Sequence, residues 1–296
     1  MRLDWNKLWQ YLHPQHQLCI SCNRPFHPAS VYAGLCYTCA CRIPWITKPV
    51  CPVCGRNIDC PDCRRQESDA RHFLLNRSAV RYNTDIRNWL AAYKYRGDER
   101  YEALFGQLLT EGYYRLQLEM SQTHHHVWSP VWITSVPASA NRLQERGFDQ
   151  AAQMACRLAA EIKLPYMELL QRNKQTAKQS EQGRHQRIRS MAGVFSYTPV
   201  ACSLVRAALH THNEHIAHHT FAFNIALTIS GRKHSLRRQR SLMNTQPARG
   251  TVIPILLVDD IYTTGSTINN CASALHELAL QMDISFAVVS LTCARS

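Results

Sequence analysis

The hydrophobic pattern of the chain after residue 78 alternates between helical and strand periods. Apolar residues recur every three or four positions over three segments, namely 85–118 with a break near Gly97, 147–162 and 266–282. Apolar runs of strand length cover three others, namely 131–137, 251–258 and 285–292. Strands that alternate with helices are typical of an α/β fold with a mainly parallel sheet and flanking helices.

Residues 196–250 do not fit this alternation. Five histidines crowd positions 210–219, and six cations follow between positions 232 and 249 without one acidic residue. We therefore predict an inserted basic and histidine-rich segment, and the pattern indicates no structure for it. Its histidine cluster has two interpretations, a solvated loop or helix face and a metal site.

The start of the chain is rich in cysteine. Eight of the 13 cysteines form four C-x-x-C pairs, at Cys19/Cys22, Cys36/Cys39, Cys51/Cys54 and Cys60/Cys63. Two such pairs supply the four thiolates of a structural zinc site and leave no position for a substrate water. The spacing predicts a zinc-ribbon module over residues 15–66 with one or two zinc ions, and it leaves open whether the pairs close in chain order or cross over. The isolated cysteines are predicted to lie in the core, at Cys156, Cys202, Cys271 and Cys293.

The composition favours an anionic partner. The chain of 296 residues has 34 Lys and Arg against 21 Asp and Glu, and its net charge of +13 favours phosphates or nucleic acid. Apolar residues make up 45% of the chain, so it is not disordered as a whole. No apolar run approaches the roughly 18 residues of a membrane-spanning helix, and the start lacks the apolar stretch of a signal peptide. We therefore expect a cytoplasmic protein without a membrane span.

The sharpest signal for chemistry is a strand that delivers two acids to a loop. Asp259 and Asp260 follow the apolar run, and a loop rich in Thr, Gly and Ser then opens a helix near Ser266. Backbone N–H groups at a helix N-terminus bind phosphate, and Gly265 lets the backbone approach a ligand closely. Two carboxylates at this position can accept hydrogen bonds from sugar hydroxyls, directly or through Mg²⁺. The alternative is an ordinary strand–turn–helix with acids in its turn.

Four segments of the chain resemble one protein family. The strand, the two acids and the T-G-S-T run at 264–267 resemble the phosphoribosyl-pyrophosphate (PRPP) motif of type I phosphoribosyltransferases. Segments 142–150 and 94–98 resemble the R-L-x-x-R-G-F-N-Q and K-Y-x-G-D segments of the ComF/GntX family of competence-associated proteins. Residues 172–195 follow that family's flexible-loop pattern, and a C-x-x-C-rich zinc ribbon also belongs to the family. The departures from the family are Asp149 and Ser190 at usual Asn positions and the segment 196–250.

The resemblance implies a type I phosphoribosyltransferase-like domain over residues 78–296, behind the zinc ribbon. It implies that Asp259 and Asp260 are the catalytic acids and bind the ribose hydroxyls of PRPP, which would bind with Mg²⁺. The implied phosphate-binding residues are Thr263, Thr264, Gly265, Ser266, Thr267, Ala138, Ser139 and Arg142. The implied residues of a lid over the phosphates are Arg172, Lys174, Gln179 and Arg187.

Three functions fit these patterns. The resemblance implies a protein of DNA uptake and natural transformation that binds PRPP or a nucleotide and works with single-stranded DNA or a DNA-uptake helicase. The second is an active phosphoribosyltransferase that moves a phosphoribosyl group to or from an unknown acceptor, although the sequence shows no nucleobase pocket. The third is a protein-interaction adaptor with a vestigial pocket, because this fold is also used for binding alone.

Overall fold

The computed structural model describes residues 17–27, 32–58, 60, 63, 71–124, 128–173, 193–211 and 252–296. The cysteine-rich part contains three short elements, β1 (Gln17–Leu18), β2 (Pro25–Phe26) and α1 (Tyr37–Ala40). The remaining elements follow in chain order as β3 (Asn76–Arg81), α2 (Thr84–Arg96), α3 (Arg100–His124), β4 (Trp132–Ser135), α4 (Ala140–Arg146), α5 (Gln150–Ile162), β5 (Leu170–Arg172), β6 (Phe195–Tyr197), α6 (Ala201–Thr211), β7 (Val252–Tyr262), α7 (Ser266–Gln281) and β8 (Ser285–Arg295).

A four-stranded parallel sheet in the order β3-β8-β7-β4 forms the centre of the fold. Alternate residues of β7 point to opposite faces, so that Leu256 and Val258 join the core under α2, α3 and α5, while Ile255 and Leu257 join the core under α7. Helices on both faces explain why β7 and β8 are almost continuously apolar. The predicted α/β fold with a mainly parallel sheet and flanking helices, behind a cysteine-rich N-terminal region, is confirmed.

Strand β3 is an element that the hydrophobic pattern did not predict. Its first three residues, Asn76, Arg77 and Ser78, are polar but buried. Their side chains find buried partners, since the Ser290 hydroxyl donates to Asn76 Oδ1 at 2.9 Å and the Ser78 and Thr292 hydroxyls lie 2.6 Å apart. When the polar side chains of a strand are buried and hydrogen-bonded, its residues need not alternate between apolar and polar. The sequence of such a strand therefore lacks the period of two by which strands are recognised.

The strand that carries the two acids is longer than predicted. We predicted its end at Val258, but β7 continues through Asp259 and Asp260 to Tyr262 because β8 pairs with it over that whole length. The loop after β4 is shorter than the strand and helix pattern suggested, because helix α4 already begins at Ala140. The main helices near the acids, α2, α5 and α7, lie within one to three residues of the ends predicted for them.

The segment predicted as an insertion begins with regular structure. Strand β6 pairs antiparallel with β5, and α6 buries Ala201 and Val205 in the core under α7. The sequence pattern indicated no structure for residues 196–211, and the structure shows a strand and a helix there. The rest of the segment, with most of the histidine cluster and all of the arginine-rich stretch, lies outside the described residues. Within the described ranges no helix combines the length and apolarity needed to cross a bilayer.

The four isolated cysteines divide between the core and the surface. Cys271 and Cys293 are buried as predicted, whereas Cys202 is half-buried and Cys156 is exposed. The prediction of a core position is wrong for Cys156 because it lies on α5 next to Arg157, on the side of the helix that faces solvent.

Candidate metal centres and phosphate site

The eight paired cysteines form two clusters of four. Cys19, Cys22, Cys36 and Cys39 form the first metal centre, and Cys51, Cys54, Cys60 and Cys63 form the second, with all four sulfur atoms of each within 4.8 Å of one another. The pairs therefore close in chain order, a choice that the spacing left open. The Sγ atoms of Cys22 and Cys36 lie 3.7 Å apart, which matches the edge of about 3.8 Å expected for a tetrahedron with Zn–S bonds of about 2.3 Å. Both donor sets fit structural zinc.

The first metal centre packs against helices α2 and α3. The indole N–H of Trp89 donates to the Ser21 hydroxyl at 3.0 Å, and the Tyr101 hydroxyl donates to the Ile20 carbonyl at 2.7 Å. Burial opposes ionisation of Cys19, but hydrogen bonds that include the Cys36 N–H outweigh it and lower its pKa to about 7. The thiolate that zinc requires is thus favoured at Cys19, whereas burial raises the pKa of Cys39 in the same cluster to about 12.

The second metal centre packs against the sheet. The Asn76 N–H donates to the Val53 carbonyl at 2.7 Å, which ties the turn between Cys51 and Cys54 to β3. A hydrogen bond with the Cys63 thiol lowers the pKa of Cys54 to about 4, and the Arg295 guanidinium acts in the same direction. Arg295 lies at the end of β8, so this cluster borders the edge of the sheet at which β7 also ends.

Asp259 and Asp260 lie at the carboxyl end of β7, beside the end of the neighbouring strand β4. The Asp259 side chain is buried, and its Oδ1 accepts the backbone N–H of Asp260 at 2.8 Å. Burial raises the pKa of Asp259 to about 7, against the opposing attraction of Lys94 and, more weakly, of Arg142. The site therefore holds a carboxyl group that ionises near neutral pH, which is unusual for an aspartate.

Lys94 is the site residue to which the sequence analysis assigned no role. It projects from α2 and forms an ion pair with Asp260. Burial lowers the pKa of the Lys94 ammonium group to about 8, although Asp259 opposes this shift. The K-Y-x-G-D resemblance marked this lysine, but only the fold shows that α2 delivers it to the two acids.

The loop after β7 leads directly into the N-terminus of α7. Gly265 is the N-cap residue at φ 84° and has no side chain to cap the helix, and the Ser266 N–H donates to Thr264 Oγ1 at 3.5 Å. The Thr264 and Ser266 hydroxyls lie 3.0 Å apart at the same end of the helix. The N–H groups of the first turn, the positive end of the helix dipole and two hydroxyls together form an environment that favours an anion.

The loop after β4 is held by Asp149. Its carboxylate accepts the N–H of Ala138 at 2.6 Å and the N–H of Ala152 at 3.1 Å, so it caps α5 and anchors the loop at once. Ser139 caps α4 by accepting the N–H of Arg142 at 3.4 Å. A phosphate at this loop would compete with Asp149 for the Ala138 N–H, and Asp149 also acts to raise the pKa of Asp259.

Two arginines of the predicted site lie within electrostatic reach of the acids. Arg142 and Arg172 both act to lower the pKa of Asp259, and Arg172 stacks on the Phe195 ring with its guanidinium carbon 5.4 Å from the ring centre. The other lid candidates, Lys174, Gln179 and Arg187, lie outside the described residues. The segments that resembled one family thus converge in space, since α2, the loop after β4 and the end of β7 supply neighbouring groups.

The sequence was also compared with known proteins. No family model matches the chain. The competence protein ComFC of Bacillus subtilis (strain 168) is 29% identical to it over 154 residues. This homologue supports the assignment of the chain to the ComF family. The match covers 47% of this chain and 60% of the length of ComFC, so the activity of the whole relative is not transferred to this chain.

Proposed function

We propose that the protein is a ComF-like, competence-associated protein whose site at the end of β7 binds a phosphoribosyl ligand, either PRPP or a nucleotide. The observation that carries this proposal is the juxtaposition of the buried acid Asp259 and its neighbour Asp260 with the N-terminus of α7, whose N-cap residue is Gly265. A sugar phosphate presents hydroxyls and a phosphate on one molecule, and this site offers carboxylate acceptors and N–H donors side by side.

Each group of the site has a role in this proposal. The backbone N–H groups and hydroxyls of residues 263–267 bind the 5′-phosphate, and Asp259 and Asp260 accept the ribose hydroxyls. Mg²⁺, when it is bound, neutralises negative charge on the pyrophosphate of PRPP. Lys94 forms an ion pair with Asp260. Binding of a ribose hydroxyl at Asp260 therefore requires the Lys94 ammonium group to move to another anion. The phosphates of the ligand are suited to accept it.

We further propose that the protein works in DNA uptake in the cytoplasm, with single-stranded DNA or a DNA-uptake helicase as its partner. The name of the relative and the net charge of +13 support this part of the proposal. A 5′-phosphorylated end of single-stranded DNA carries the same phosphate and sugar chemistry as a nucleotide. Transfer of a phosphoribosyl group is the second candidate, favoured by the pair of acids beside several cations, and its signature is pyrophosphate release from PRPP.

A thermal-shift titration with PRPP and Mg²⁺ tests the ligand proposal. We expect PRPP to raise the melting temperature at pH 8, where Asp259 is ionised, and to do so less at pH 6, where its pKa of about 7 leaves it protonated. Asp259→Asn is expected to abolish the shift, because a neutral amide replaces the acceptor of the ribose hydroxyls. Asp283→Asn makes the same chemical change at an exposed position beyond the far end of α7, and it should preserve the shift.

The same titration separates the alternatives. A 5′-phosphorylated single strand that raises the melting temperature more than its 5′-hydroxyl counterpart favours a DNA end as the occupant. A shift that survives in Asp259→Asn, or the absence of any shift with PRPP, nucleotides and 5′-phosphorylated DNA, contradicts the proposed site.

A further inference from the structure

Arg295 lies between the second metal centre and the loop at which β7 ends. Its Nη1 donates to the carbonyls of Tyr262 and Thr263 at 3.1 and 2.9 Å, and its Nη2 contacts the Sγ of Cys54 at 3.8 Å. The side chain of Arg295 is almost fully buried, with 6% of the residue exposed. One guanidinium group therefore joins a cysteine of the metal centre to the backbone at the start of residues 263–267, which we call the phosphate loop.

The contact continues from Tyr262 to the N-cap of α7. The guanidinium carbon of Arg295 lies 4.8 Å from the centre of the Tyr262 ring, which is itself buried. The Tyr262 hydroxyl lies directly beneath Gly265, where a Cβ atom would overlap it. Cys54, Arg295, Tyr262 and Gly265 thus form an unbroken series of contacts from the second metal centre to the first turn of the helix.

Zinc in the second metal centre would fix the position of the sulfur atom that Arg295 contacts at Cys54. A guanidinium group is costly to bury without a negative partner. Four thiolates around one Zn²⁺ carry a formal charge of about −2, which provides such a partner at Cys54. With zinc bound, Arg295 is held at Cys54 and its second nitrogen fixes the carbonyls of Tyr262 and Thr263. Without zinc, no metal bond fixes the position of Cys54, so Arg295 loses a fixed partner and the loop loses one of its supports.

We propose that Arg295 is a positioning residue that couples the second metal centre to the phosphate loop, so that zinc and the phosphoribosyl ligand strengthen each other's binding. The ligand half of this statement rests on the proposed function. Coupling between two sites is reciprocal, so a ligand that binds better to the zinc-loaded form must also retain zinc better. The first metal centre packs on α2 and α3 and belongs to a different hydrophobic core from Cys54 and Tyr262, so it serves as an internal reference.

Zinc release to a chromogenic chelator, followed with and without PRPP and Mg²⁺, tests the coupling on the full chain. We expect one of the two zinc equivalents to leave about tenfold more slowly when PRPP is present and the other to leave at an unchanged rate. Arg295→Met should remove the protection and weaken PRPP binding by a similar factor. Arg295→Lys keeps the positive charge but lacks the two guanidinium nitrogens that contact Cys54 and the loop at once, so it should retain more of the protection than Arg295→Met.

Arg77→Met is the matched control. Arg77 is also a buried arginine beside the second metal centre, where it donates to the Pro52 carbonyl at 3.3 Å. Its other hydrogen bonds go to the Asn76 carbonyl and to Glu119, and not to residues 262–263. Arg77→Met should therefore leave the PRPP effect on zinc release intact, even where it lowers stability. Equal loss of protection in both variants would assign Arg295 a merely structural role and overturn the coupling.

Hydrogen exchange separates this inference from the proposed function, because it needs no ligand. Amides of residues 263–268 should exchange faster in zinc-loaded Arg295→Met than in zinc-loaded Arg77→Met. Faster exchange in a protein that does not bind PRPP would contradict the proposed function and preserve the coupling. PRPP binding with unchanged exchange and unchanged zinc release would preserve the function and overturn the coupling. If Arg295→Met does not fold, Arg295→Lys is compared with Arg77→Lys in the same two measurements.

Discussion

Replacement of Cys54 by serine is expected to reduce the zinc content from two ions per chain to one and to cause the largest loss of stability of the variants considered. Cys54 is fully buried within the second metal centre and belongs to the core under α7. Serine is a poor zinc ligand, and structural zinc in small modules contributes an apparent binding free energy of about 10–16 kcal/mol at neutral pH. Elemental analysis and a melting curve measure the two effects.

Cys156→Ser is the control for this prediction. Cys156 is exposed on α5 and outside both clusters, so its replacement should leave two zinc ions bound and the melting temperature unchanged. Two zinc ions in Cys54→Ser, or a wild-type protein without zinc, would contradict the assignment of the cysteine clusters as metal centres.

Gly265→Ala is expected to destabilise the protein and to abolish ligand binding at the phosphate loop. Gly265 has a φ of 84°, at which an L-residue costs about 1–2 kcal/mol. Its new Cβ would also overlap the hydroxyl of the buried Tyr262, so the loop or the ring must move. Movement of the first turn of α7 displaces the N–H groups that the phosphate needs. Urea unfolding gives the stability change, and a PRPP titration gives the binding change.

Gly147→Ala separates backbone strain from overlap. Gly147 has a similar φ of 77°, but a Cβ there would meet nothing within 4 Å, so only the strain is expected. Tyr262→Phe in the Gly265→Ala background removes the oxygen in the overlap and should recover part of the stability. Equal destabilisation by the two alanine variants, with PRPP binding intact in Gly265→Ala, would show that the close approach to Tyr262 does not shape the loop.

The sequence predicted the parts of the fold that have a strong apolar period. The main helices and β7 were visible because their buried faces are apolar, whereas β3 was not, because Asn76, Arg77 and Ser78 satisfy their polar groups inside the protein. The C-x-x-C spacing predicted which cysteines form the two clusters that could hold a metal ion. It did not predict their pairing, because pairing depends on how the two turns pack on the rest of the chain.

The sequence predicted the part of the site that lies in one continuous motif, and the fold added residues from distant parts of the chain. Asp259, Asp260 and Gly265 lie next to one another in the sequence, so a local pattern revealed them. Lys94 and Arg295 reach the same region from α2 and β8, and a lysine or an arginine far away in the chain has no signature until the topology brings it near. The sequence likewise did not show that Asp149 anchors the loop after β4, because this depends on the hydrogen bond that its second carboxylate oxygen accepts from the Ala138 N–H.

The most direct test of the central claim is a crystal structure of the protein grown with PRPP and Mg²⁺. We predict the 5′-phosphate within hydrogen-bond distance of the backbone N–H groups at the start of α7. The ribose hydroxyls should lie at Asp259 and Asp260, with the Lys94 ammonium group displaced from Asp260. A ligand bound elsewhere on the chain, with the ion pair between Lys94 and Asp260 intact, would contradict the claim that this strand end is the phosphoribosyl site.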